Sequence, residues 1–249
     1  MENTLLIGLS RQVALARELD VIANNMANVN TNGFKARSSR FEEFLEPDAS
    51  AETFPWPDRK LSFVIDAGSP IDLSDGATEP TGNPLDVAIR GDAFFVVETP
   101  AGERYTRNGA FQVDPQGRLV TSDGFPVVGD GGAIQLEPGD TGIVVAGDGT
   151  ISTDAGQRGR LALVRFDAPQ MLSNMGANLF AAVEPAQQAQ PAGERARVEQ
   201  GFIERSNVRA VYEMTRLMEV SRAYTRVAST LSSLTDLQRT AIRTLGEAA

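Results

Sequence analysis

The 249-residue sequence contains no cysteine and no histidine. That excludes a disulfide framework, Cys-His zinc sites, and Ser-His-Asp or Cys-His catalysis. Without cysteine, thiol usage cannot report the redox compartment. Aromatic residues make up only 6% of the chain, and the single tryptophan, Trp56, sits between prolines. No array of rings is offered to sugars or bases. The longest apolar runs, such as Ala93-Phe94-Phe95-Val96-Val97, are far too short to span a bilayer. Direct membrane insertion is not expected. The opening Met1-Glu2-Asn3-Thr4 lacks the basic region, apolar run and cleavage site of a general secretory signal. On these residues alone the chain reads as cytoplasmic.

What is present is the composition of a folded chain, 41% apolar and 22% charged. The net charge is -10, with the acid excess in the middle and near-neutral ends. Ends that pack and a middle that stays wet fit this distribution. No stretch concentrates basic charge beside aromatics, so nucleic acid is not an expected partner.

The two ends share one pattern. From Thr4 to Asn28 there is no proline, and only Gly8 interrupts. Leu5, Leu9, Gln12, Ala16, Leu19, Ala23 and Met26 recur at alternating four- and three-residue steps, an apolar stripe on a helix roughly 40 Å long. Leu217, Val220, Tyr224, Val227, Leu231, Leu234, Gln238, Ala241 and Leu245 continue the same period, with Met214 and Met218 beside it. This predicts a second helix over 207–245, about 60 Å long and capped by Ser206 or Asn207. Glu219 ahead of Arg222 and Arg226 offers local charge pairs.

The middle alternates short β-rich runs with turn residues. Phe111–Val113 and Leu119–Thr121 flank Asp114-Pro115-Gln116-Gly117, and a second hairpin is expected around Gly147-Asp148-Gly149. The glycine-aspartate loops lack the acidic ligand series of a calcium site and the lysine of a phosphate loop. No metal or cofactor is expected.

The fold expected is therefore α+β: terminal helices paired as a coiled coil around a central all-β domain of antiparallel strands. The divisions are 1–35 for the first helix and its Asn-rich cap, 36–83 for an extended linker, 84–183 for the β domain, 184–200 for a second linker, and 201–249 for the last helix. Two paired helices leave apolar surface on their flanks, which predicts association with further subunits. The candidate assembly residues are Leu5, Leu9, Leu19, Asn24, Asn25, Met26, Asn28 and Asn30, then Asn207, Met214, Leu217, Met218, Tyr224, Leu231 and Leu234. Asparagines 24, 25, 28, 30 and 32 exceed what one helix cap needs. They are expected to close the helix and to bond neighbouring chains.

Longer motifs carry a resemblance. Ala23-Asn24-Asn25-Met26-Ala27-Asn28-Val29-Asn30-Thr31-Asn32-Gly33-Phe34-Lys35 resembles the Asn-rich signature of flagellar rod and hook proteins. Ser206-Asn207-Val208, Tyr212-Glu213-Met214 and Ser221-Arg222-Ala223-Tyr224 resemble their C-terminal motif. In the middle, the run from Leu85 to Phe95, Tyr105-Thr106-Arg107-Asn108-Gly109-Ala110-Phe111 and the run from Leu119 to Val127 are similar to the same family. The opening most resembles proximal rod members, with distal rod members close by. The resemblance implies export by the flagellum's own type III apparatus without a cleaved signal. It also implies polymerisation in the periplasm with copies of itself and other rod proteins, in the shaft that carries torque to hook and filament. It implies no enzyme activity and no small-molecule substrate. The rival readings are a periplasmic ligand-binding β module and a glycosidase. Nothing singles out the carboxylate pair that a glycosidase needs.

Overall fold

The computed structural model describes residues 2–46, 61–66, 70–182, 189–193 and 196–247. Trp56 and the glutamines 187 and 188 lie outside the described residues. The chain is α+β and forms two compact units. The first collects Met1–Ala27, Arg37–Pro70 and Arg209–Ala249, and the second Asn28–Ala36 and Ile71–Val208.

In the first unit, helix α1 spans Glu2–Ala27 and helix α2 spans Ala210–Glu247. They lie side by side and antiparallel. Gly8 faces Leu231, Gln12 Nε2 donates to the Tyr224 hydroxyl at 3.2 Å, Arg216 pairs with Glu18, and Asn25 bonds Glu213. The α2 stripe read from the sequence, Leu217 to Leu234, lies on its less exposed face. On α1 the face toward α2 is set one step away from the expected stripe. Leu9 is exposed, and Gly8, Leu15 and Ile22 are less so. Gly8 accounts for the shift. A Cβ there would stand 2.5 Å from Leu231 Cδ2, so the helices meet where a side chain is missing. Threonines 215, 225, 230, 235 and 240 of α2 each donate their hydroxyl to the carbonyl four residues earlier. That satisfies the polar group locally in a helix rich in β-branched residues.

The stretch 36–83, read as extended linker, contains strands. β1, Phe41–Glu46, pairs antiparallel with β2, Leu61–Asp66, and β2 runs close to α1. The alternation that identifies a strand is weak here, because the runs are short and proline-rich sequence separates them.

The second unit is built on a six-stranded antiparallel sheet. β3 is Thr78–Pro80, β4 Val87–Arg90, β5 Phe94–Thr99 and β6 Gly102–Thr106. β5 and β6 form the centre of the large sheet, flanked by Leu179–Ala181 on one side and Leu163–Arg165 on the other. Side chains alternate across a strand, and both faces of β5 are covered. Phe95 and Val97 enter one core with Val87, Phe111 and Leu161. Phe94 and Val96 enter another with Tyr105, Phe166 and Phe180. Burial on both faces explains why β5 reads as an unbroken apolar run. In the second core Tyr105 meets Phe166 edge-to-face at 4.7 Å. Both expected hairpins form. Asp114 Oδ1 accepts from the amides of Gln116 and Arg118, and Asp148 Oδ1 from that of Thr150. These carboxylates hold turns.

Two strands from beyond residue 184 complete this unit. Arg197–Gln200 pairs with β4, and Phe202–Glu204 pairs with β3. The expected β domain of 84–183 therefore omits part of its own fold, and α2 starts three residues later than the 207 expected.

Candidate functional site

The second unit gathers the Asn-rich segment, the β domain and the Ser206-Asn207-Val208 motif around buried charges. Lys35 Nζ donates to Glu204 Oε1 at 2.6 Å, to Ser74 O at 2.7 Å and to Leu73 O at 3.4 Å. All three ammonium donors are engaged, so the amine is not available as a nucleophile. Arg107 approaches the same carboxylate, Nε to Oε2 3.2 Å, outside hydrogen-bond geometry. Its other nitrogens donate to the carbonyls of Gly91 and Ala93 and to Asp75. Lys35, Arg107 and Glu204 are each no more than 3% exposed. Burial pulls the Lys35 ammonium below the usual lysine range, with the Glu204 carboxylate pulling the other way.

Asparagine amides tie the backbone around this cluster. Asn207 Oδ1 accepts from the Ala36 amide at 2.7 Å, while its Nδ2 donates to the carbonyls of Asp72 and Ser74. Asn207 is thus committed away from the helix terminus it was expected to cap. Asn178 Nδ2 donates to Asn32 O at 2.9 Å, and Arg205 donates to Asn32 Oδ1. Gly33 was expected to cap α1, yet it lies well beyond that helix. It has φ +68°, donates its amide to Glu204 O, and runs so close to Arg107 and Asn108 that a Cβ would stand 2.5 Å from Asn108 N. Both the dihedral and the approach require glycine.

The first unit holds a second polar knot. Asn25 is fully buried. Its Oδ1 accepts from Arg37 N at 2.9 Å, and its Nδ2 donates to Arg37 O at 2.8 Å and to Glu213 Oε1 at 3.0 Å. One amide therefore holds both backbone groups of Arg37 and the first turn of α2. This is closure within one chain, where the sequence reading expected asparagine to bond between chains. Asn24 and Asn30 are exposed, and Asn28 accepts from the Thr31 hydroxyl. Leu5, Leu19, Met26, Leu217, Tyr224, Leu231 and Leu234 are half-buried, while Leu9, Met214 and Met218 are exposed.

The sequence reading quoted Lys35 and Arg107 only as motif members and did not single out Glu204. A lysine and an arginine set within apolar and glycine-rich motifs were the available signal, because buried cations need a carboxylate.

Three family descriptions match the chain. "Flagella basal body rod protein" covers residues 5–35, "Flagellar hook protein FlgE/F/G D1 domain" covers 88–153, and "Flagellar basal body rod FlgEFG protein C-terminal" covers 199–244. Lys35, Arg107 and Glu204 come one from each, so the three matched segments converge on a single ion cluster. Similarity to individual proteins runs the whole length. The chain is 40% identical to the flagellar basal-body rod protein FlgF of Caulobacter vibrioides, with 99% of each chain covered. It is 36% identical to FlgF of Mesorhizobium japonicum, again over 99% of each. With the rod protein FlgG of Bacillus subtilis the identity is 32%, over 90% of this chain and 92% of the relative. On sequence and architecture together, the chain belongs to the flagellar basal-body rod protein family, and within it is most like FlgF.

Proposed function

We propose that this chain is a structural subunit of the flagellar basal-body rod, in its proximal part. It would polymerise there with other rod proteins and transmit torque toward the hook and filament. The observation that carries this reading is the convergence of three rod-family segments on Lys35, Arg107 and Glu204. The proximal position is supported by the higher identities to proteins named FlgF than to the FlgG of Bacillus subtilis. Its role is mechanical and not catalytic. Buried charges that saturate one another suit a part that must hold its shape under load.

Assembly would use the helices as a coiled coil extended by neighbouring subunits. Two exposed apolar stripes support this: Leu6, Leu9 and Val13 on α1, and Val211, Met214 and Met218 on α2. Each follows a three- and four-residue step, the spacing by which one helix seats against another. Delivery through the flagellar export apparatus, without signal cleavage, belongs to the same proposal. Among the described residues no helix is long and apolar enough to cross a membrane.

The test is to purify basal bodies from the bacterium that makes this chain and to locate it in the rod by mass spectrometry and imaging. Cells lacking it should be non-motile, with basal bodies stopped before the hook. Swimming cells whose basal bodies never contain the chain would sink the proposal.

A further inference from the structure

The packing of α1 on α2 leaves a groove of about 430 Å³ beside Gly8, many times the roughly 30 Å³ that one water occupies. Its floor is apolar, lined by Ile7, Gly8, Val227, Leu231 and Leu234. Arg11 of α1 and Arg226 of α2 border it. Both arginines are exposed, and no carboxylate among the described residues lies within ion-pairing distance of either. Arg226 also borders the adjoining polar surface of α2, with Arg222. Glu219 was expected to pair with these arginines, yet no ion pair joins them among the described residues.

An apolar floor with unpaired cations at its rim suits a helix whose apolar ridge is bordered by carboxylates. A second copy of this chain does not bring such a ridge. Its stripe on α1, ending at Val13, continues four residues on to Arg17, and its stripe on α2, ending at Met218, continues to Arg222. Self-docking would set arginine against arginine, which disfavours it. We infer that the groove receives a helix of a different rod protein, one carrying aspartate or glutamate beside its apolar ridge. The inference rests on the rod-subunit reading and adds the chemistry of the partner.

The test replaces the native chain in motile cells by the charge-reversed R11E/R226E variant and by the charge-retaining R11K/R226K variant. The amount of chain in purified basal bodies is then measured. Both side chains are exposed, so folding is spared, and circular dichroism of the purified variants checks it. Reversal should lower incorporation by about tenfold, and the lysine variant should incorporate like the wild type. Wild-type incorporation of R11E/R226E overturns the groove assignment and leaves the rod reading standing. Equal loss of both variants also overturns it, because charge is then not what the partner reads. Absence of the unaltered chain from basal bodies removes the rod reading itself. A photo-reactive side chain at Thr230, in the groove wall, should crosslink to a carboxylate-bordered helix of another rod protein. A crosslink to a second copy of this chain overturns the inference.

Discussion

Lys35 Nζ and Glu204 Oε1 stand 2.6 Å apart, with both side chains closed to solvent. The residues are far apart in sequence, so their pairing fixes where the Asn-rich segment and the last strand of the second unit meet. Removing one partner of a buried pair costs about 3–5 kcal/mol, because the other is left charged and uncompensated. Glu204→Ala strands two cations, Lys35 and Arg107, whereas Lys35→Met still leaves Glu204 beside Arg107. Glu204→Ala should therefore be the more damaging in urea denaturation of the full chain, followed by near-ultraviolet circular dichroism. Equal midpoints for the two variants would show that the carboxylate is not shared.

A chain ended at Ala196 should fail to fold its second unit. The truncation removes the partners of β3 and β4 and deletes Glu204 from between two buried cations. Unpaired strand edges and uncompensated charge act together here. A chain ended at Val208, which keeps those strands, should recover a cooperative transition. Heteronuclear NMR separates the outcomes, and dispersed β-strand resonances in the Ala196-terminated chain would refute the expectation.

The legible and illegible parts of this fold divide along physical lines. The period of three and four in α2 is long and unbroken, so its face could be read directly. The α1 stripe was read one step off, because Leu9 fits the same spacing as Gly8 and hydrophobicity alone favours leucine. Only the approach of Leu231 reveals that absence of a side chain sets the contact. The hairpins at Asp114 and Asp148 were legible because a short-range hydrogen bond makes them. The charge cluster was not. Lys35, Arg107 and Glu204 are distant in sequence, and no local pattern states that a cation will be buried. The asparagines misled in a similar way. Five close together look like one device, yet Asn25 is buried and holds α2 while Asn24 and Asn30 face solvent.

Acid should loosen the second unit partly through Asp140. The hydrogen bond from Arg158 holds this carboxyl below its ordinary value of 3.8 and outweighs the opposing effect of burial. The Glu137 amide and the Thr153 hydroxyl add to it. A carboxyl depressed in the folded state binds fewer protons there than when unfolded. Its stabilisation is present above pH 3.8 and is lost as pH falls through the folded value. Asp140→Asn should be less stable than wild type at pH 6, and the two should converge as pH falls below about 3.8. Thermal midpoints measured across that range would decide it, and a gap that stays constant with pH would rule Asp140 out.

The contact of Gly8 with Leu231 supports a compensation experiment. Alanine is favoured over glycine in a helix by about 1 kcal/mol, so Gly8→Ala would stabilise α1 if nothing opposed it. The new Cβ, however, would stand 2.5 Å from Leu231 Cδ2, and the leucine would have to turn aside from its place against α1. Leu231→Ala alone removes a half-buried side chain and opens a void, which costs apolar contact. Combined, the two substitutions exchange one methyl position for another across the same interface. The double variant should then be more stable than the sum of the single effects allows, by about 0.5–3 kcal/mol of coupling. Leu231→Asp should differ in kind. It sets an unpaired carboxylate against the α1 backbone at Gly8, and it should abolish assembly and swimming while the second unit keeps its own unfolding transition. Strict additivity in the double variant, or normal swimming with Leu231→Asp, would show that this contact does not hold the helices together.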